Sequence, residues 1–218
     1  MAKIGVVLSG CGFLDGSEIH EATLTLLHLD RLGAEIVFMA PDNNDIDVTD
    51  HYKKQPVQEK RNILAESARI ARTDIVDIAS VEASQLDALV FPGGFGAAIN
   101  LCDWALKGEN CDVNPDVERL IKDMHQAKKP LGFLCIAPVL AARVLGSSGV
   151  TLTIGNDENT ASVIAKTGAK HEVCDVDQAV FDEENLIATT PAYMIGPSIS
   201  KVDQGISKLV QKLMDWSK

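Results

Sequence analysis

The segment IGVVLSGCG, residues 4–12, is an apolar run that ends in glycines. It predicts a buried parallel strand followed by a loop. The next stretch, DGSEIHEATLTLLHLDRLGA at residues 15–34, repeats its apolar residues with helical spacing and offers Asp15 or Ser17 as the cap of a helix. EIVFMAP, residues 35–41, then predicts a second strand. Together they form a βαβ unit, whose crossover is expected to be right-handed.

The same alternation of strands and helices continues along the chain. Further strands are predicted at residues 88–91, 130–135 and 186–193, each separated from the next by segments with helical periodicity. Residues 42–60 are polar without a clear period, which indicates a surface excursion containing a small hairpin. No linker or repeat divides the chain. The prediction is therefore one doubly wound, flavodoxin-like α/β domain over residues 1–218, with a mostly parallel sheet and helices on both faces.

Composition excludes several classes of partner. The 218 residues include 20 basic and 31 acidic side chains, and the net charge is −11. Because such a chain repels phosphate backbones, nucleic acid is not expected as a partner. There is no apolar run of about 18 residues and no basic amphipathic helix, so no membrane association is expected. The first residues, MAKIGVVLSG, lack the features of a signal peptide, and the default expectation is a cytoplasmic location.

The cysteines argue for free thiols. Five are present, an odd number at irregular spacings: Cys11, Cys102, Cys111, Cys135 and Cys174. No pair has the spacing of metal ligands, and a chain of this length does not need disulfides to fold. We therefore expect a reducing compartment and no metal site.

Cys135 has the most informative surroundings. It lies in PLGFLCIAPVL, residues 130–140, where a strand is followed at once by a helix. A nucleophile at such a turn is presented at the carboxyl edge of the sheet, and a helix N-terminus favours a thiolate, which predicts a depressed pKa. The alternative is a buried cysteine that packs as a small apolar side chain. The position alone leaves the two interpretations equally open.

Two other segments are expected at the same edge. PGGFG, residues 92–96, follows the strand at 88–91, and the N–H groups of Gly93 and Gly94 together with that of Ile136 are candidates for an oxyanion hole. The alternative for PGGFG is an ordinary turn.

The start of the first helix adds the candidates Glu18, His20 and Glu21, which the βαβ reading brings to the same rim. The alternative for each glutamate is an acid in the first turn that complements the helix dipole. Glu21 is the stronger candidate for a catalytic carboxyl, because it lies one turn after Glu18 and can point toward the cleft.

Four segments together, SGCGFLDGSEIHEA, PGGFGAAINL, KPLGFLCIAP and TTPAYM, carry a resemblance that covers essentially the whole chain. They resemble the PfpI-like superfamily of the class I glutamine amidotransferase-like fold. Within it they are most similar to a glyoxalase branch, the enhancing lycopene biosynthesis or sigma cross-reacting proteins, whose name implies a link to isoprenoid biosynthesis.

The resemblance implies a nucleophile at Cys135, a helix glutamate at Glu21 and oxyanion N–H groups at Gly94 and Ile136. It also implies a glutathione-independent, cofactor-free glyoxalase, a lyase that acts on small reactive carbonyls such as glyoxal and methylglyoxal, and a homodimer. One feature departs from the pattern: the loop TIGNDENTA, residues 153–161, lacks the histidine that many relatives place there. His20 is the histidine that our reading puts near the rim. The missing histidine favours the alternative of a non-catalytic or redox-regulatory protein that kept the fold.

Overall fold

The computed structural model describes all residues from 1 to 218. The strands are β1 (Lys3–Val7), β2 (Glu35–Ala40), β3 (Ile46–Asp50), β4 (Gln55–Arg61), β5 (Val76–Asp77), β6 (Ala88–Phe91), β7 (Leu131–Leu134), β8 (Thr151–Leu152), β9 (Lys170–His171), β10 (Val180–Asp182) and β11 (Ile187–Thr190). The helices are α1 (Ile19–Arg31), α2 (Ile63–Ala71), α3 (Gly96–Ile99), α4 (Trp104–Lys107), α5 (Pro115–Gln126), α6 (Pro138–Leu145), α7 (Glu158–Lys166) and α8 (Ile199–Trp216).

Seven strands form the central sheet in the order β10-β11-β7-β6-β1-β2-β5. All neighbouring pairs are parallel except β10 and β11, which confirms the predicted mostly parallel sheet. β1 lies between β2 and β6, and Val6 pairs with Phe38 on one side and with Val90 on the other. Because β1, β6, β7 and β11 run in the same direction, the loops that follow them meet at one edge.

Apolar packing covers both faces of this sheet. One core cluster holds 32 buried residues and includes the inward faces of α5 and α6, and a second holds 19 and includes those of α1 and α8. Phe91 and Phe133 stack at the centre, with ring centroids 4.9 Å apart. Helices on both faces are what a strand buried on both faces requires, and the runs ALVF and LGFL are fully buried.

One local expectation is confirmed and another is wrong. Residues 42–60 do form a hairpin, β3 and β4, as predicted. The predicted cap of α1 is wrong, because Glu18 occupies that position and accepts a hydrogen bond from the Glu21 N–H. Asp15 instead accepts from the Thr49 N–H, and Ser17 Oγ accepts from the Ser9 N–H. These two side chains therefore hold the loop between β1 and α1 in place. No helix in the chain has the length and apolar character needed to span a membrane.

Candidate active site

Cys135 occupies the sharp turn between β7 and α6. Its φ is 59°, a left-handed conformation that costs a non-glycine residue about 1–2 kcal/mol. The Cys135 N–H donates to the Thr190 carbonyl on neighbouring β11 at 2.9 Å, which fixes the turn to the sheet. The side chain is buried, with 8% of the residue exposed. The strained turn therefore presents the thiol at the edge where the strands end.

Glu21 is fully buried although it belongs to a surface helix. Its Oε2 accepts from the Gly93 N–H at 2.8 Å, and its Oε1 accepts from the Tyr193 N–H at 3.1 Å. Two loops, one after β6 and one after β11, therefore hold the carboxyl group through their backbones. The Cys135 side chain lies beside this carboxyl group, because both pack against Gly93.

Gly93 packs against both the Cys135 side chain and the Glu21 carboxyl group. A Cβ atom at this position would collide with the Cys135 Cβ and would lie 2.5 Å from Glu21 Oε2. No side chain other than hydrogen fits there. The expectation that Gly93 supplies an oxyanion N–H is corrected by this geometry, because its N–H is already donated to Glu21.

The N–H groups of Gly94 and Ile136 face the Cys135 sulfur and favour its charged form. Gly94 has a φ of 98° and lies against the backbone of Gly16 and Glu18, a close approach that a side chain would prevent. Backbone hydrogen bonds join the two loops here, with the Glu18 N–H donating to the Gly93 carbonyl at 2.9 Å. Two N–H donors beside a thiol are the arrangement that an oxyanion site needs.

Burial and nearby carboxylate charge set the protonation of the pair. Burial is the main cause that raises the pKa of Glu21, to about 7, and the nearby Glu18 adds to it, while the N–H donors of Tyr193 and Gly93 oppose the rise. Burial also raises the pKa of the Cys135 thiol, and the Glu21 carboxylate raises it further. The predicted depression of the thiol pKa is therefore wrong: desolvation outweighs the N–H groups that favour the thiolate. Two adjacent buried anions are disfavoured, so the pair retains a proton at neutral pH.

Glu18 has a structural task as well as a place in the site. Its Oε2 accepts from the Glu21 N–H at 2.7 Å, which makes it the N-cap of α1. The residue is half-buried and lines the cavity above Cys135. It therefore orients the first turn of the helix that carries Glu21 and places a carboxylate at the mouth of the site.

His20 lies at the rim but is exposed. Its Nδ1 is 2.8 Å from the Tyr193 hydroxyl, and it does not line the cavity above Cys135. Tyr193 is the functional residue that the sequence reasoning missed: its N–H holds Glu21 and its ring lines the cavity. The signal was present in TTPAYM, residues 189–194, which begins in β11 and continues past its end at the same edge of the sheet.

A cavity of about 630 Å³ opens above the thiol. Sixteen residues line it, and eleven of them are hydrophobic, including Phe13, Phe95, Trp104, Ile136, Val163 and Met194. We call it the apolar chamber. Cys135 is the nucleophilic side chain on its wall.

Cys11 lies elsewhere. It lines a separate cavity of about 310 Å³ with polar walls that include Asp15, His51, Arg61 and Glu66. Burial raises the pKa of its thiol, with a further contribution from Glu66. Cys11 is not part of the wall of the apolar chamber, although it too follows a strand at this edge.

No family model matches the sequence. A human protein named glutamine amidotransferase-like class 1 domain-containing protein 3, mitochondrial, is 48% identical over 98% of this chain and 83% of its own length. The rat ES1 protein homolog, mitochondrial, is 46% identical over 98% and 84%. The chain belongs to this family of class 1 glutamine amidotransferase-like proteins.

Solved structures agree with the family. The crystal structure of an isoprenoid biosynthesis protein with an amidotransferase-like domain from Ehrlichia chaffeensis matches over 100% of both chains, with a TM-score of 0.93 and 38% identity. A ThiJ/PfpI domain protein from Brachyspira murdochii matches 98% of this chain and 96% of its own, with a TM-score of 0.60 and 15% identity, which shows a shared fold. The predicted PfpI-like, class I amidotransferase-like fold is confirmed.

The expected location of this family member is corrected by the same comparison. The human and rat relatives are named as mitochondrial proteins, which contradicts the cytoplasmic expectation. That expectation rested on the absence of a secretory signal, a feature that does not separate the cytoplasm from an organelle.

Proposed function

We propose that this amidotransferase-like protein is a cofactor-free, glutathione-independent glyoxalase that converts small α-oxoaldehydes to hydroxy acids. The observation that carries the proposal is the pairing of Cys135 with Glu21, a soft nucleophile beside a buried carboxyl group whose pKa is raised to about 7. A carboxyl group with that pKa can accept and return a proton at neutral pH.

In the first step the Cys135 sulfur bonds to the aldehyde carbon of glyoxal, and the thiol proton passes to the Glu21 carboxylate. The carbonyl π electrons move to its oxygen, which the Gly94 and Ile136 N–H groups stabilise. The protonated Glu21 carboxyl group then gives its proton to that oxygen and becomes a carboxylate again. The product is a hemithioacetal. Because the resting thiol is protonated, Glu21 acts as its base at the moment of addition.

In the second step Glu21 removes the proton from the carbon that now carries sulfur. The electron pair moves to give an enediol, and return of the proton to the neighbouring carbon gives the thioester of glycolate. One carbon is oxidised as its neighbour is reduced, so no external oxidant or reductant enters. In the third step water hydrolyses the thioester, releasing glycolate and restoring the Cys135 thiol.

Incubation of the purified protein with glyoxal in D₂O tests the proposal, with glycolate followed by NMR in the absence of glutathione and in the presence of a chelator. Glycolate carrying one deuterium on its hydroxyl-bearing carbon is expected, because the enediol exchanges its proton through Glu21. Cys135→Ala should abolish turnover. Cys11→Ala is the matched control, since that thiol lies in the other cavity, and it should retain full activity.

Failure of the wild type to convert any small α-oxoaldehyde, or full activity of Cys135→Ala, would reject the glyoxalase. The alternative of a non-catalytic or redox-regulatory family member would then account for the fold. The raised pKa of Cys135 is consistent with either role until turnover is measured.

A further inference from the structure

The apolar chamber is large for the substrate that the chemistry alone requires. Its volume of about 630 Å³ lies within the range of roughly 300–1,000 Å³ typical of sites for drug-sized ligands. Glyoxal, the smallest dialdehyde, would occupy only a small part of it. A nucleophile on the wall of a chamber that the substrate does not fill gains little orientation from the protein.

The walls define which chemistry would fill that space. Phe13 and Phe95 are partly exposed at 47% and 53%, while Trp104 is buried at 7%. These rings, together with Val163 and Met194, lie on the same chamber as Cys135. Aromatic and aliphatic walls stabilise an apolar group by removing it from water, and aromatic rings add an edge or face contact.

The charges around the chamber disfavour anionic substrates. None of the sixteen residues that line the chamber is lysine, arginine or histidine, and the carboxyl groups are those of Glu18 at the wall and Glu21 beside the thiol. A phosphate or carboxylate on the substrate would find no cation and would be repelled by Glu18. An uncharged substrate is therefore favoured, and the hydroxy acid product is disfavoured as soon as its carboxylate forms.

Resting on the proposed glyoxalase activity, we propose that the substrates of this protein are α-oxoaldehydes that carry a bulky, uncharged apolar group, either an aromatic ring or a branched alkyl chain. The aldehyde carbon lies at Cys135 and the apolar group lies against Phe95, Trp104 and Val163. Desolvation of that group supplies the binding energy that positions the aldehyde for attack.

A substrate series tests this inference. We expect kcat/KM of the wild type for phenylglyoxal to exceed that for glyoxal by about 10²-fold, after division by the uncatalysed rate of each aldehyde with a small thiol. Methylglyoxal should lie between them. Phenylglyoxal with a carboxylate on its ring should fall at least about tenfold below phenylglyoxal itself. A flat series, or no loss from the carboxylate, would overturn the substrate class while leaving glyoxal turnover, and so the proposed function, intact.

Two variants of α4 distinguish an effect inside the chamber from an effect at the nearby surface. Ala105 lines the chamber, whereas the next residue, Leu106, is 86% exposed and does not. Ala105→Trp should lower the ratio of kcat/KM for phenylglyoxal to that for glyoxal by about tenfold or more, because the added ring fills the chamber. Leu106→Trp, with the same added ring one position away, should keep the wild-type ratio. An unchanged ratio in Ala105→Trp would contradict the assignment of the apolar group to this chamber.

Binding provides a readout that does not depend on turnover. The chain has two tryptophans, and Trp104 is the one in the chamber. In the double variant Cys135→Ala, Trp216→Phe, titration with acetophenone, an unreactive and uncharged analogue, should change Trp104 fluorescence with saturation, and titration with acetone or benzoate over the same range should not. If acetophenone saturates this variant but the wild type converts no α-oxoaldehyde, the glyoxalase activity is rejected and the apolar binding site is retained. Absence of saturation would reject the ligand class.

Discussion

The carboxyl group of Glu21 and the thiol of Cys135 form a buried pair in which the charge of the carboxylate raises the pKa of the thiol. Glu21 is fully buried and Cys135 is 8% exposed, and Gly93 leaves room for nothing between them. The Glu21 carboxyl group is held by the N–H groups of Gly93 and Tyr193, so it cannot rotate away from the thiol without losing both hydrogen bonds.

Catalysis should depend on pH through Glu21. Its pKa is raised to about 7, and the proposed first step requires the carboxylate. kcat/KM for glyoxal should therefore fall with unit slope as the pH drops below about 7, reaching roughly 10²-fold below the plateau at about pH 5. Initial rates from pH 5 to 8 measure this, and glyoxal itself does not ionise in that range. A profile that is level down to pH 5 would remove Glu21 as the base.

Removal of the Glu21 charge should take away the base for both the addition step and the later proton transfer on carbon. Glu21→Gln should therefore lower kcat for glyoxal by about 10²–10⁴-fold, measured as the initial rate of glycolate formation at saturating glyoxal. Glu18→Gln is the matched control, because it keeps an oxygen that can accept from the Glu21 N–H. A larger loss of kcat in Glu18→Gln than in Glu21→Gln would make Glu18 the catalytic base in place of Glu21.

Alkylation should report the raised thiol pKa directly. The inflection in iodoacetamide labelling of Cys135 should lie above that of a free thiol, about 8.5, because burial and the Glu21 carboxylate oppose the thiolate. Glu21→Gln should move the inflection to lower pH by removing the neighbouring charge. Peptide mass spectrometry distinguishes Cys135 from Cys11. An inflection below 8.5 in the wild type would restore the depressed pKa expected from the helix N-terminus.

The buried carboxyl should also make folding stability depend on pH. Because the pKa of Glu21 rises from 4.5 to about 7 on folding, the native state binds more protons than the unfolded state between these values. Its favourable contribution is complete below pH 4.5 and is lost as the pH rises through 7. Relative to Glu21→Gln, the wild type should lose about 2–3 kcal/mol between pH 5 and pH 8 in urea denaturation. The surface variant Glu184→Gln should follow the wild-type curve, and parallel curves for wild type and Glu21→Gln would refute the coupling.

Gly93 should be required because a side chain there would displace Cys135 and Glu21, not because its backbone needs a conformation that only glycine adopts. Gly93→Ala places a methyl group against both Cys135 and Glu21 and should lower kcat/KM by more than about 10²-fold. Gly33→Ala offers the opposite case, since Gly33 has a φ of 72° and open space around it. That variant should cost about 1 kcal/mol of stability and leave the kinetics unchanged. Wild-type activity in Gly93→Ala would show that Cys135 and Glu21 still function with a methyl group packed against both, and would contradict this prediction.

His20 should have a minor role. It is exposed and contacts the Tyr193 hydroxyl, whereas Tyr193 holds Glu21 through its main-chain N–H. His20→Ala and Tyr193→Phe should therefore each change kcat/KM by less than about threefold. Loss of activity in both variants to the level of Glu21→Gln would mean that the His20–Tyr193 pair supplies the base that the absent loop histidine provides in many relatives.

The sequence by itself determined the architecture and the position of the thiol. Apolar runs in β1, β6 and β7 can be buried only between helices, and a strand separated by only three residues from a helix beginning at Pro138 forces a tight turn at Cys135. These are local constraints, so a single chain reveals them. The same local logic brought Glu21 and the two glycine N–H groups to one edge of the sheet.

Tertiary structure alone decided what those groups do to one another. The sequence gives no distance between α1 and the loop after β6, so it could not show that the Gly93 N–H donates to Glu21 instead of serving as an oxyanion donor. Nor could it show that the Tyr193 N–H donates to the other oxygen of the same carboxyl group. It also led to the wrong sign for the thiol pKa. A helix N-terminus favours a thiolate, but complete burial beside a carboxyl group disfavours it more, and burial is a property of the assembled fold.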